Sequence, residues 1–234
     1  MKKFLLFVFA GILHLSLSAQ LYRSSEFLLG GAVGYSYPVG DFADVSHHGF
    51  SGSLVGRWLL NEQIGVGFEA GYSLFGKDDA YWNVGNRGEI DVNYQLIPLL
   101  LNGTYIFKAW DRDFKPYASV AFGYFLFRNH VDFNSVNSEP VPYNSDPSLE
   151  YTIKENKVGV VPSLGFMYYL SDYLAFDMNL RYTYVPNFSK MRDVKQKFTN
   201  VSEGFDKYRI EENYSLGFDK ISSLALNVGL LYRF

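Results

Sequence analysis

The 234-residue chain contains no cysteine. That excludes a disulfide framework, a thiolate metal site and a lipid-modified N-terminal cysteine, so the fold must hold by other means. After residue 19 there is also no long apolar run of the kind a membrane-spanning helix needs, about 18 to 20 residues, and mean hydropathy is −0.06. A helical membrane protein is excluded. Basic side chains are neither numerous nor clustered, with 21 Lys and Arg against 24 Asp and Glu, which argues against nucleic acid as a partner. Histidine is scarce, at four residues, so few groups are available for acid–base work near neutral pH.

Aromatics, in contrast, are abundant: 18% of the chain, with 19 Tyr and 21 Phe, more than a soluble core of this size uses. Aromatic girdles at the two membrane interfaces of a β-barrel use them, and a barrel needs only every second residue to be apolar. The start of the chain has its own pattern. A basic Met1-Lys2-Lys3, an apolar run from Phe4 to Leu13 and small residues at Ser16 to Ala19 predict a Sec signal peptide over residues 1–19, cleaved after Ala19 or Ser18. Its loss would remove Lys2 and Lys3, leaving 19 basic against 24 acidic side chains and a net charge of about −5.

Period-2 alternation bounded by turn residues predicts eight strands, near 26–37, 49–60, 64–78, 91–107, 116–131, 158–170, 174–188 and 221–234. At about 3.3 Å per residue and a tilt near 40°, the shortest still rises roughly 30 Å, enough to cross a hydrocarbon core. In the third strand Ile64, Val66, Phe68, Ala70, Tyr72 and Leu74 share one face, and Gly65, Gly67, Glu69, Gly71 and Ser73 the other. The seventh opposes Leu174, Phe176, Met178, Leu180, Tyr182 and Tyr184 to Ala175, Asp177, Asn179, Arg181 and Thr183. In the sixth, Val158, Val160, Pro162, Leu164, Phe166 and Tyr168 lie together. The second face is small and polar, which suits a narrow barrel interior better than a soluble surface. Leu99-Leu100-Leu101 and Phe125-Leu126-Phe127 break the alternation, so the faces of strands four and five stay unassigned.

The connections alternate in length: short at 61–63, 108–115 and 171–173, long at 38–48, 79–90, 132–157 and 189–220. Short periplasmic turns and long extracellular loops are the rule for outer-membrane barrels. These features predict an all-β fold, an eight-stranded antiparallel up-and-down transmembrane β-barrel over residues 20–234 with no second domain.

The final strand adds a motif. Leu224, Leu226, Val228, Leu230, Tyr232 and Phe234 share a face, and Asn227, Gly229, Tyr232 and Phe234 resemble the C-terminal signal read by the barrel-assembly machinery. With Gly34-Tyr35-Ser36-Tyr37-Pro38-Val39-Gly40-Asp41-Phe42 closing the first strand, the chain resembles the broad family of outer-membrane β-barrel domain proteins of the OmpA-barrel, OmpX and OmpW type. The resemblance implies a location in the bacterial outer membrane, with outer-membrane lipid, lipopolysaccharide and the assembly machinery as partners. The signal-peptide style and the Ala19-Gln20 junction are also similar to the PorT-like small barrels associated with type IX secretion.

Four charges fall on the polar face: Arg57, Glu69, Asp177 and Arg181. They sum to zero, and Arg57 and Glu69 flank one short hairpin, which predicts a cross-strand ion pair within a structural plug; an ion or proton path is the alternative. His130-Val131-Asp132 could supply a base and its orienting carboxylate, though Asp132 stands where the lipid A deacylase pattern has a serine, and a rim histidine is the plainer reading. Adjacent His47 and His48 should point in opposite directions on a strand, so a metal site is not expected there, nor is any cofactor. Pro98 and Pro162 predict bulges, and Gly30, Gly31 and Gly34 predict barrel curvature rather than a phosphate loop. The third and fourth long loops carry Pro140, Pro142 and Pro147, and Lys190, Arg192, Lys195, Lys197, Lys207 and Arg209 mixed with Glu203, Asp206, Glu211 and Glu212. These loops could meet protein partners or lipopolysaccharide phosphates. The expected function is a non-enzymatic structural or interaction barrel; a narrow channel and a lipid A-modifying enzyme are the alternatives.

Overall fold

A computed structural model of the chain describes residues 25–78, 89–134, 148–189, 191–195 and 211–234. The expected signal peptide lies outside them. In chain order the elements are β1 (Glu26–Pro38), a short 3-10 turn (Gly40–Phe42), β2 (Ser46–Leu59), β3 (Ile64–Lys77), β4 (Glu89–Ile106), β5 (Phe114–Asn134), β6 (Ser148–Tyr169), β7 (Leu174–Val185), β8 (Met191–Lys195), β9 (Glu211–Ser215) and β10 (Ile221–Arg233). Eight of them close into an antiparallel barrel in the order β1-β10-β7-β6-β5-β4-β3-β2, while β8 and β9 pair in a separate two-stranded sheet within the last long connection.

Strand register fixes the barrel's shape. A circuit of paired residues runs Lys154, Arg128, Gln95, Leu74, Phe50, Tyr35, Leu226, Leu180 and back to β6 at Leu164, ten residues from its start. An advance of ten residues at about 3.3 Å across eight strand spacings of about 4.8 Å gives a tilt of roughly 40°. The corresponding radius is about 8 Å, which side chains can fill.

Alternation places the apolar faces outside. Ile64, Val66, Phe68, Tyr72 and Leu74 of β3, Val158, Val160, Leu164 and Tyr168 of β6, and Leu180 and Tyr182 of β7 are exposed on the wall. The same rule settles the two ambiguous strands. Leu99, Leu101 and Tyr105 of β4 and Val120, Phe122 and Tyr124 of β5 face out, whereas Leu96, Leu100, Phe125 and Phe127 are buried inside. Both faces are apolar there because that part of the lumen is filled with hydrocarbon rather than with small polar groups.

Three expectations need correction. Register is continuous through Pro98 and Pro162 on the β5 side, so neither proline marks a bulge; each sits where pairing to its other neighbour lapses for two residues or so. The register shift lies at Ser46/Gly49 of β2 instead. The β5–β6 hairpin is paired out to Asn134 and Ser148, ten residues earlier on β6 than expected, because above the wall both faces of a sheet can meet water and polar alternation reads as loop.

Candidate functional site

The lumen holds the four predicted charges and encloses them. Arg57 and Asp177 are both about 95% buried or more. Arg57 Nη1 lies 3.4 Å from Asp177 Oδ1, and its guanidinium sits 4.5 Å over the ring of Tyr117, whose hydroxyl donates to the same carboxylate at 2.9 Å. Arg181 grips Glu69 with two hydrogen bonds, at 2.6 and 3.1 Å. The expected Arg57–Glu69 pair is therefore not formed. Val55, not Arg57, is the register partner of Glu69, and Arg57 stands opposite Gly67. Both charges of the β2–β3 hairpin reach across the lumen to β7 instead. The distance favours this: in a barrel this narrow, the opposite wall is within reach of an arginine side chain.

Amides extend the Arg57–Asp177 pair into a network. Asn179 donates to Asp177 Oδ2 at 3.1 Å, and Asn227 donates to Asn179 Oδ1 at 3.1 Å. Ser51 donates to Asn227 Oδ1 at 3.4 Å. Gly34 leaves room for that amide, since a Cβ there would collide with Asn227 Oδ1 and approach Ser51 Oγ at 2.7 Å. Hydrogen bonds to ionised groups are the strong ones, and a buried charge needs them.

Apolar layers close the network above and below. On the short-turn side Leu28, Leu59, Ile106, Met167, Tyr169, Ala175 and Leu231 pack together. On the long-loop side the closure is aromatic. Phe218 lies 5.1 Å from Phe42, 5.8 Å from Phe127, 5.5 Å from Phe188 and 6.2 Å from Tyr94, and Phe42 also meets Phe75 at 5.2 Å. Edge-to-face pairs at these spacings are favourable beyond the area they bury. Three of these rings come from connections: Phe42 from the 3-10 turn, Phe188 after β7 and Phe218 before β10. Backbone at positive φ turns the chain inward at Gly40 (63°), Asn187 (68°) and Gly217 (75°), the region that glycine and asparagine enter most readily. Among the described residues, two interior cavities beside the charges measure about 30 Å³ each. A volume of that size holds on the order of one or two water molecules.

The aromatic stopper lies outside what period-2 alternation predicts. Its signal was present in the broken alternation of Phe125-Leu126-Phe127 and in Leu99-Leu100-Leu101, where apolar residues on both faces imply a greasy interior at that level.

The other candidate residues lie elsewhere. Asn227 and Gly229 point into the lumen, whereas Tyr232 and Phe234 are exposed on the wall beside Phe27 and Tyr173. His130 is on the outer wall, its Nδ1 3.1 Å from Thr152 Oγ1; the side chain of Asp132 lies outside the described residues. His47 and His48 differ from the expectation that they diverge. Their rings are 4.8 Å apart because both fall in the β2 register shift, with His48 stacked on Tyr35 and His47 3.9 Å from Asp78. Among the described residues, no group of three or more His, Cys, Asp or Glu could hold a metal ion. The prolines of the third long loop and Lys197, Glu203, Asp206, Lys207 and Arg209 of the fourth fall outside the described residues, as do Lys190 and the side chains of Arg192, Lys195, Glu211 and Glu212.

A closed eight-stranded barrel with an apolar wall and a polar belt at its centre is the arrangement that lipid demands of a sheet. A profile of the outer membrane protein β-barrel domain matches residues 7–234. The chain belongs to that family. It is accordingly a protein of the bacterial outer membrane. Among solved structures, the barrel is similar to a major outer membrane protein of Thermus thermophilus, at 16% identity and a TM-score of 0.55 over 91% of this chain and all of that one. Neisserial surface protein A is similar at 14% identity and 0.48, over 91% of this chain and all of that one. OprG of Pseudomonas aeruginosa is similar at 12% and 0.48, over 91% and 97%. At such identities the likeness is one of fold. No curated protein matches the chain.

Proposed function

We propose that this barrel is a closed, non-enzymatic element of the outer membrane, which acts as a structural or interaction protein through its extracellular side. The observation that carries the reading is the double closure of the lumen. Charge pairs at the centre are covered by an aliphatic layer on the periplasmic side and by six aromatic rings on the other. An ion crossing it would have to break the buried Arg57–Asp177 pair and the part-buried Arg181–Glu69 pair and shed its hydration between hydrocarbon layers, at a cost of several kcal/mol. The four charges are on this reading a structural plug that ties β2 and β3 to β7.

Export by the signal peptide over residues 1–19, assembly through the terminal residues Asn227, Gly229, Tyr232 and Phe234, and partners met by the loops complete the proposal. A role in envelope integrity or in a surface or secretion complex suits a barrel that offers its loops rather than a pore.

Single-channel recording on the protein refolded into planar bilayers tests the closure. The expected result is no discrete openings between pH 5 and 8 at voltages that leave the bilayer intact. Regular openings that disappear in a Glu69→Gln variant would instead establish the lumen as a pathway.

A further inference from the structure

Two polar atoms in the charged belt have no hydrogen-bond partner in the protein, and they are of opposite kinds. Arg57, 4% exposed, directs Nη1 to Asp177 and Met167, while its Nε–H, a donor, is enclosed and unpaired. Asn102 Oδ1, an acceptor, is enclosed and unpaired as well. Native interiors seldom leave such groups unmet, because each has given up its hydrogen bonds to bulk water without replacing them.

Arg57 and Asn102 belong to one row of the sheet. β3 passes between them at Gly67, the register partner of both. The glycine keeps a gap open there: a Cβ would come within 2.7 Å of Asn102 Oδ1 and would collide with the Gly56 carbonyl. The two side chains also line one of the interior cavities of about 30 Å³, which both ion pairs border. That is room for about one or two water molecules.

The chemistry of the two orphans restricts what the cavity can take. An anion would satisfy Arg57 but repel Asn102 Oδ1, and a cation would satisfy the amide oxygen but repel the guanidinium. The four charges of the belt already sum to zero, so either ion would add uncompensated charge to the interior. Water is neutral and both donates and accepts.

We propose that the belt holds a buried water molecule that accepts from Arg57 Nε–H and donates to Asn102 Oδ1 above the bare Cα of Gly67. Its second proton goes to a carboxylate bordering the same cavity, Glu69 or Asp177. Among the described residues no hydrogen bond joins the Arg57–Asp177 network to the Arg181–Glu69 pair, and a donation to Glu69 would supply that link. The site rests on the closed lumen, which keeps the water from exchanging quickly.

Two measurements on the barrel folded in micelles test it. Oxygen-17 relaxation dispersion of the solvent counts long-lived internal waters, and N102L, whose side chain is close to asparagine in shape, should hold at least one fewer than wild type. A denaturant titration reads the sign of the change: N102L strands Arg57 Nε–H, so its folding equilibrium constant should fall about tenfold or more. An equal count in the two proteins, or a folding constant unchanged or raised in N102L, overturns the site. An ion in place of the water would make the wild type, and not N102L, gain stability as sodium chloride is raised, and that result overturns water as the occupant. Should N102L fail to fold, N102V is read by the same criteria. Openings in the bilayer recordings would defeat the closure, whereas a silent barrel with equal water counts defeats only the site.

Discussion

The two layers that close the lumen are built differently. The periplasmic one consists of residues such as Leu28, Leu59, Ile106 and Leu231, which occupy regular inward positions on paired strands. The outer one depends on Phe42, Phe188 and Phe218, which arrive from connections and are held by turns at positive φ and by the Lys220–Asp41 contact at 3.6 Å. One closure is a property of the sheet. The other is a lid assembled from separate segments, and its stability can be changed without unpicking the barrel.

The largest effect should come from the belt between them. Asp177→Ala leaves Arg57 charged and buried with no carboxylate, and is expected to lower stability in micelles by about 3–5 kcal/mol in a denaturant titration. Combining Arg57→Met with Asp177→Leu should recover most of that loss; a single-variant cost below about 1 kcal/mol would show the pair to be hydrated. Next is Phe218→Ala, at about 3 kcal/mol for a ring lost from a packed core. Its second signature sharpens the contrast: proteolysis around residues 186–220 should accelerate while the short turns at 60–63 and 170–173 stay resistant. Equal acceleration at both ends would mean that the two layers unfold as one unit. Gly34→Ala drives a methyl into the Asn227 amide and should cost about 1–3 kcal/mol by overpacking, read as a lower melting temperature. Smallest is Asp41→Asn, which removes a half-exposed partner of Lys220; less than about 1 kcal/mol is expected, and roughly 0.5 M salt should erase the difference between variant and wild type.

The wall was legible in the sequence because lipid permits one kind of side chain on one face, and β3, β6 and β7 follow that over their membrane rows, on β6 as far as Asn156, the register partner of Leu126. The stopper was not, because Phe42, Phe188 and Phe218 sit in connections where no period applies, and only the apolar doublets of β4 and β5 reported its presence. For the charges, the four residues lie in the lumen but not in the pairs that neighbouring positions in the sequence suggest. Sequence proximity favoured Arg57 with Glu69, but pairing across the lumen is set by how far the sheet is sheared as it closes, a quantity that no single hairpin contains. His47 and His48 departed from expectation for a local reason: the rule that neighbours diverge holds only where the ladder is regular, and they occupy the two positions where it slips.

The β5–β6 hairpin is still hydrogen-bonded at Asn134 and Ser148, six residues past Arg128 and Lys154 on each strand. At the tilt found here that carries its paired backbone about 15 Å beyond the cations. Anything approaching the cell from the medium, whether an antibody, a phage fibre or a neighbouring cell's adhesin, meets this stiff extension, in which β4 also pairs with β5 out to Glu89, before it can touch the bilayer. Sequence drift at its tip would then alter what the cell displays to its surroundings while leaving the membrane-embedded body unchanged.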